Sequence, residues 1–508
     1  MRRLAGVLGA AALLLAGAPA AEARDVTVRS FDGTPIAASF LPAPDGGRAP
    51  TVLMTHGWGL VRDRGDDSGG TAMFGSVGAA TLQRAGYNVL TWDSRGFGES
   101  GGTVMVDHRD FEGRDVQALL DWLATQPEAQ LDGPGDPRAG MHGASYAGGI
   151  EFVAAAVDRR IDAIAPAIAW HSLTTALYRD ELVKSGWGLA LGGLGLPTAT
   201  LLGVIAPSGV QTGTLDPHIL SALLSGAATG RLSAEDERWF ADRGPGDAVG
   251  DIRAPTLILQ GTADTLFTPS EAIRNHALLQ EAGVPLKMVW FCGGHGVCLT
   301  GDDDPGRVER TVLTWLDRHL RGNAAADTGP AFEWLADDGV WRTAGRFPLP
   351  TGAPLGAAGS GRLVLAPADP PSGTPITAGP ALNAVNVPIP APAARTDVVG
   401  EPRLTLRYRG TGLTRSTHVF AQIVDRTRGL VLGNQATPIA ITLDGREHTI
   451  TRSLEGVAAS AGPGSRYVLQ VAGSSSLYGP ARGAGVVDLE ALRVALPTAA
   501  AGSAAPGA

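Results

Sequence analysis

Hydrophobic and polar positions along this chain fall into two regimes. Up to about residue 321, short fully apolar runs alternate with longer segments of helical period; beyond it, brief strand-like runs follow one another between turns. In the first regime residues 26–30 and 34–40 read as two strands joined at Asp32-Gly33, a hairpin pair at an antiparallel sheet edge. Residues 51–55 (TVLMT), 87–93 (YNVLTWD), 161–170 (IDAIAPAIAW), 255–260 (PTLILQ) and 286–291 (LKMVWF) have the unbroken apolar character of buried strands. Helices are predicted over residues 73–85, 111–125, 269–282 and 304–321. In the second of these Val116, Leu119, Leu120 and Leu123 share one face. Strand and helix in alternation predict the α/β class, with a mainly parallel sheet covered on both faces and ligands gathering at the carboxyl ends of its strands.

The alternation breaks at residues 171–250. No residue between Lys184 and Asp216 is charged, and the interior, GLALGGLGLPTATLLGVIA, is interrupted by Pro197 and several glycines. These disfavour a membrane-spanning helix, so the segment reads as a helical cap. Its apolar face either forms an acyl or side-chain pocket or is cap core alone. Past a linker near residues 322–329, runs such as 403–408 (RLTLRY), 419–424 (VFAQIV) and 466–471 (RYVLQV) have no helices between them. They predict a C-terminal β-sandwich over residues 330–498. The tail at 499–508, rich in Ala and Gly, is expected to be disordered.

Composition sets the outer bounds. With 508 residues, 44% of them hydrophobic, the chain can build more than one packed domain. A net charge of −9 and scattered Lys and Arg argue against nucleic acid as a partner. Residues 1–23 carry Arg2 and Arg3, then an apolar run, then Ala21-Glu22-Ala23, the plan of a cleaved secretory signal peptide. The run is too short and too rich in Gly and Ala for a stable membrane anchor, so a secreted protein is expected. In that compartment Cys292 and Cys298, six positions apart, favour a small disulfide loop; two buried thiols are the alternative, and a metal site is disfavoured with one nearby His.

The candidate chemistry centres on RAGMHGASYAGGIEF at residues 138–152: a buried strand, a turn of small residues with Ser145 at its apex, then a helix. This is the nucleophile-elbow pattern of an α/β-hydrolase, with Ala147 where a strict G-x-S-x-G has its second Gly; an unrelated glycine-rich turn is the competing reading. Asp264 follows one late strand in GTAD and His295 follows the next in GGHG. The order Ser145, Asp264, His295 is the hydrolase order, and each stands at a strand end where the active site of this fold forms. An oxyanion hole is expected from the backbone N–H groups of Trp58, in the HGWG turn after an early strand, and of Tyr146. His56, Asp93 and Arg95 are expected to hold loops rather than take part in chemistry. Residues 24–170 with 251–322 then form the hydrolase domain and 171–250 the cap.

Together GASYAG at 143–148, DSRGFGESGG at 93–102, GTAD, GGHG and FEWLADDGVWRTAGRFPLP at the start of the β region resemble the X-Pro dipeptidyl-peptidase and cocaine-esterase family of serine hydrolases, across about residues 25–498. The resemblance implies a hydrolase domain with a helical cap and a jelly-roll β domain. Some members donate to the oxyanion from a Tyr hydroxyl after the early strand; here that place offers Trp58. An esterase acting on small or medium acyl esters and an Xaa-Pro dipeptidyl peptidase both fit. The peptidase needs an anion for the substrate amine, for which Asp180 and Glu181 are the cap's candidates. A silent polysaccharide-binding protein is the reading from another class. The hydrolytic readings take a small ester or short peptide as substrate and call for no metal or organic cofactor.

Overall fold

A computed structural model describes residues 22–65, 74–197, 213–298, 300–367, 369–370 and 372–507. The leader expected at 1–23 falls almost wholly outside them, as do residues 198–212 of the uncharged cap run. Among the described residues no helix is long and apolar enough to cross a membrane.

An eleven-stranded mixed sheet organises the first part of the chain. From one edge its strands are Arg24–Arg29, Pro35–Leu41, Asn88–Trp92, Thr51–Met54, Ala139–Ala144, Ile161–Ala167, Thr256–Gly261, Leu286–Phe291, Phe332–Leu335, Trp341–Ala344 and Ala505–Pro506. The seven from Asn88–Trp92 to Phe332–Leu335 are parallel, with antiparallel pairs at both edges. Every residue of Thr51–Met54 and Asn88–Trp92 is buried, as expected for strands covered on both faces. Helix Glu112–Leu123 lays Val116, Leu119, Leu120 and Leu123 on the sheet. Helix Pro269–Ala282 has Pro at its start and a left-handed Gly283 at its end, the usual asymmetry of helix signals. The molecule is thus an α/β-hydrolase with a C-terminal antiparallel β domain.

Between Ile161–Ala167 and Thr256–Gly261 the chain leaves the sheet for the helices Leu173–Ala176, Ser185–Leu196, Pro217–Thr229 and Ala234–Ala241. Asp216 caps the third by accepting from His218 N–H, and Ser233 caps the fourth by accepting from Asp236 N–H.

Three expectations need correction. First, Phe332–Leu335 and Trp341–Ala344 do not open the β domain; they extend the first sheet. Phe332 and Trp334 bury on its core with Trp290, whose ring lies 5.5 Å from that of Phe332. Second, 403–408 and 419–424 are two ends of one strand, Arg403–Asp425. Its first half pairs with Gly485–Leu496 and its last six residues with Tyr467–Ala472, while Thr437–Ser453 runs along its other side. Register breaks around Thr411 let it bend from one partner to the next, which curls the domain towards a barrel. Third, the tail is not without structure. Ala505–Pro506 pairs with Arg342–Thr343 through backbone hydrogen bonds, for which small side chains are no obstacle.

Candidate active site

The strand Ala139–Ala144 ends at Ser145, whose φ of 63° and ψ of −120° lie where L-residues are strained. The helix Tyr146–Val157 starts immediately after it. Two glycines make this turn possible. A Cβ on Gly143 would stand 2.5 Å from that of Ala147, and one on Gly148 would stand 2.6 Å from the Ala167 carbonyl. Ala147 in place of the second glycine is accommodated because Gly143 leaves room above it.

The structure brings Ser145, Asp264 and His295 together. His295 Nδ1–H donates to Asp264 Oδ2 at 2.8 Å, which leaves Nε2 as acceptor for the Ser145 hydroxyl, also at 2.8 Å. Asp264 is fully buried, and its other oxygen accepts from the N–H groups of Leu266 and Phe267, each at 2.9 Å. Phe267 and Trp187 meet the imidazole edge-on at 5.2 and 5.8 Å and restrict its rotation.

Trp58 and Tyr146 lie against each other, ring centroids 5.4 Å apart. As the first helical residue, Tyr146 has no intrahelical carbonyl for its N–H. The Trp58 indole N–H is taken up by the Leu191 carbonyl of the cap at 3.0 Å, so the indole is not available as a donor and only the backbone N–H of Trp58 is left for that role. His56 holds the turn: Nδ1–H donates to the Gly57 carbonyl and Nε2 accepts from Ser94 N–H, while burial lowers its pKa and keeps it neutral. Asp93 accepts from the backbone of Arg62 and Glu99 and pairs with the Arg62 guanidinium. Arg95 makes a two-pronged pair with Asp115 at 2.7 and 2.6 Å.

Two cavities meet at Ser145. The first, about 140 Å³, lies under the cap between Trp58, Tyr146, Trp170, Leu177, Leu223 and Phe240. Among the described residues no Asp, Glu or His lines it. The one charged side chain that lines it among the described residues, Lys184, contributes the stem while the ammonium donates to the carbonyls of Thr265 and Leu266 at 2.9 and 3.1 Å. The second, about 570 Å³, opens on the other side past Leu60, Phe74, Ile168 and His295. Its Asp63 is occupied by the N–H groups of Gly65 and Ala79. Neither cavity reaches Asp180 or Glu181. Asp180 accepts from Ala440 N–H and Arg452 of the β domain, and Glu181 pairs with Arg231. Those two acids therefore offer no anchor for a substrate amine.

Sequence reasoning missed the groups behind the site. Asp107 and Glu112 are buried beneath the elbow, and the Tyr146 hydroxyl lies 3.4 Å from Glu112. Burial, then the neighbouring Asp115, pushes Glu112 up to about 7. Glu455 of the β domain is buried against Arg179 and accepts from Thr268 Oγ1 at 2.6 Å. Nothing in a single sequence signals such pairs: Asp107 and Glu112 stand in the polar stretch DHRDFEGRD, which reads as a solvated segment. Cys292 and Cys298 form a disulfide with Cα atoms 5.3 Å apart, closing the loop that carries His295. No group of three or more His, Cys, Asp or Glu placed to hold a metal ion occurs among the described residues.

Residues 32–296 match the family described as X-Pro dipeptidyl-peptidase (S15 family), just over half of the 508 residues. The chain belongs to this family. No curated protein matches the S15 chain in sequence. Among solved structures, an α-amino acid ester hydrolase is similar with a TM-score of 0.70, 14% identity, and coverage of 94% of this chain and 96% of its own. An aminopeptidase from a marine sediment archaeon, Thaumarchaeota archaeon, gives 0.67 and 14%, covering 96% of each chain. A CocE/NonD family hydrolase from Staphylococcus aureus gives 0.64 and 14%, covering 94% of this chain and 93% of its own. At such identities these neighbours share the S15 chain's fold, and the family makes it a hydrolase.

Proposed function

We propose that this hydrolase cleaves carboxylic esters through Ser145, His295 and Asp264, by way of an acyl-enzyme. The observation that carries the reading is the single imidazole bonded at 2.8 Å to both the Ser145 hydroxyl and the Asp264 carboxylate. A serine hydroxyl is a poor nucleophile at neutral pH. In this reading His295 takes its proton as Oγ attacks the carbonyl carbon, and Asp264 fixes the tautomer and stabilises the imidazolium. The oxyanion is received by the backbone N–H groups of Trp58 and Tyr146, whose individual loss costs about 100- to 1,000-fold in analogous sites. His295 then returns the proton to the leaving alcohol, and water attacks the acyl group with the same imidazole as base.

An ester is favoured over an Xaa-Pro amide by the first cavity. It offers apolar walls to the acyl group and, among the described residues, no carboxylate for a free amine. A protonated amine buried there without a counter-charge would carry a cost of several kcal/mol. The leader plan at residues 1–23 and the Cys292–Cys298 bridge support export with removal of the leader.

Two measurements on one preparation test this. A fluorophosphonate probe is expected to label the wild type and not Ser145→Ala, and Asp264→Asn is expected to lower kcat by about 10³- to 10⁴-fold. Turnover of p-nitrophenyl esters is expected to exceed that of Xaa-Pro-p-nitroanilides; the reverse ranking makes the protein a dipeptidyl peptidase with the same triad. An unlabelled wild type rejects both.

A further inference from the structure

The β domain reaches into the active site at one turn. Leu432–Asn434 approaches the loop before Asp264 so closely that a Cβ on Gly433, at φ 61°, would stand 2.9 Å from the Thr262 carbonyl. From this turn the buried Gln435 side chain donates through Nε2 to the backbone carbonyl of Asp264. Its neighbour Asn434, at φ 58°, donates through Nδ2 to the Val297 carbonyl at 3.1 Å. One turn, about 140 residues past His295 in the chain, therefore holds the peptide of the acid itself and a residue two places beyond the imidazole.

We propose that Gln435 is a positioning residue of the active site, and that residues 432–435 set the spacing between Asp264 and His295. The inference rests on the serine-hydrolase reading above. The direction of the Asp264 carboxylate follows from its peptide plane, and that plane is held by what its carbonyl bonds to. Asp264 is fully buried, so without Gln435 the carbonyl has no water to turn to and the loop relaxes to find another donor. The 2.8 Å bond from Asp264 to His295 tolerates little of that relaxation, because an error of about 1 Å in a catalytic constellation costs about 100-fold. On the other side, the disulfide braces the His295 loop from within and Asn434 braces it from outside. Thr265 Oγ1 adds a third tie, donating to Ile376 O at 2.6 Å. In this arrangement the β domain is part of the scaffold of the site rather than an appended binding unit.

The test uses the full chain and steady-state hydrolysis of a p-nitrophenyl ester. Gln435→Leu keeps most of the side-chain volume and removes the donor. It is expected to lower kcat by about ten-fold with KM within two-fold, and to slow fluorophosphonate labelling in step. Asn434→Gly suits the positive φ and removes only the bond to Val297; a smaller fall in kcat is expected. Arg428→Ala is the control, since it breaks an ion pair with Asp337 at the same domain contact without touching either loop. Its kcat should stay within two-fold of wild type even if its Tm falls. Wild-type kcat in Gln435→Leu overturns the inference, as does an equal loss of kcat in Arg428→Ala. If Gln435→Leu does not fold, unchanged kcat in Asn434→Gly overturns it instead. A wild type that is not labelled at all rejects the hydrolase reading, whereas a labelled wild type with an unimpaired Gln435→Leu rejects this inference alone.

Discussion

The indole N–H of Trp58 donates to the Leu191 carbonyl at 3.0 Å, tying the turn beside Ser145 to the cap helix Ser185–Leu196. The turn proposed to present a backbone N–H to the oxyanion is thereby tied to a residue of the cap. Trp58→Phe keeps an aromatic ring against Tyr146 and removes this donor. A net hydrogen bond of about 1 kcal/mol predicts roughly a five-fold fall in kcat for a short p-nitrophenyl ester. An unchanged kcat would show that the cap does not steady the turn.

In the ester reading proposed above, the first cavity sets a limit on the acyl group. Its volume of about 140 Å³ is close to that of an engineered apolar cavity of about 150 Å³ known to take up benzene. Acyl groups of about six carbons are therefore expected to be the best substrates. Leu177→Phe, which narrows the cavity, should move the optimum in a p-nitrophenyl ester series towards acetate, and Phe240→Ala should move it towards longer chains. A series with the same optimum in all three proteins would place the acyl group elsewhere.

Reduction of Cys292–Cys298 should be felt at His295, which lies inside the bridged loop. The double variant Cys292→Ser with Cys298→Ser is expected to lose thermal tolerance and to react more slowly with a fluorophosphonate. Identical melting and labelling with and without excess reductant would count against a bracing role.

A pH dependence of stability follows from Glu455. Burial alone would raise its carboxyl, but the charges of Arg179 and Lys184 and the bond from Thr268 prevail and hold it at about 2, below the ordinary 4.5. A depressed carboxyl contributes stability that is present above the unfolded value and is lost as pH falls through the folded one. Here that window runs from about pH 4.5 down to about 2, and the contribution at neutral pH is about 3 kcal/mol. Glu455→Gln should lower Tm at pH 7, and the gap from wild type should close as the pH approaches 2. A gap independent of pH would mean that the charge of Glu455 contributes nothing.

What the sequence makes legible here is local. Five apolar runs mark strands of the first sheet, and the elbow is readable because Gly143 and Gly148 are demanded by contacts within a few residues or with the adjacent strand. The meeting of Ser145, Asp264 and His295 is legible because strand order in this fold carries them to one edge. What escapes is set by partners far away in the chain. Phe332–Leu335 has the alternation of any half-buried strand, and only the packing of Phe332 and Trp334 against Trp290 assigns it to the first sheet. Arg403–Asp425 passes through GTGLTRST, which reads as a turn until Thr437–Ser453 and Gly485–Leu496 supply its partners. Gln435 bonds to a carbonyl 171 residues earlier, and no pattern in its own neighbourhood marks it out.

The conformation of Ser145 carries a final implication. Its left-handed φ of 63° is tolerable to glycine and costly to serine, by an amount on the order of 1–3 kcal/mol. Ser145→Gly should therefore give a molecule that is inert towards esters yet melts later than the wild type. The hydroxyl's usefulness and the fold's comfort pull in opposite directions at this one residue, so selection for robustness alone would drive the position away from serine.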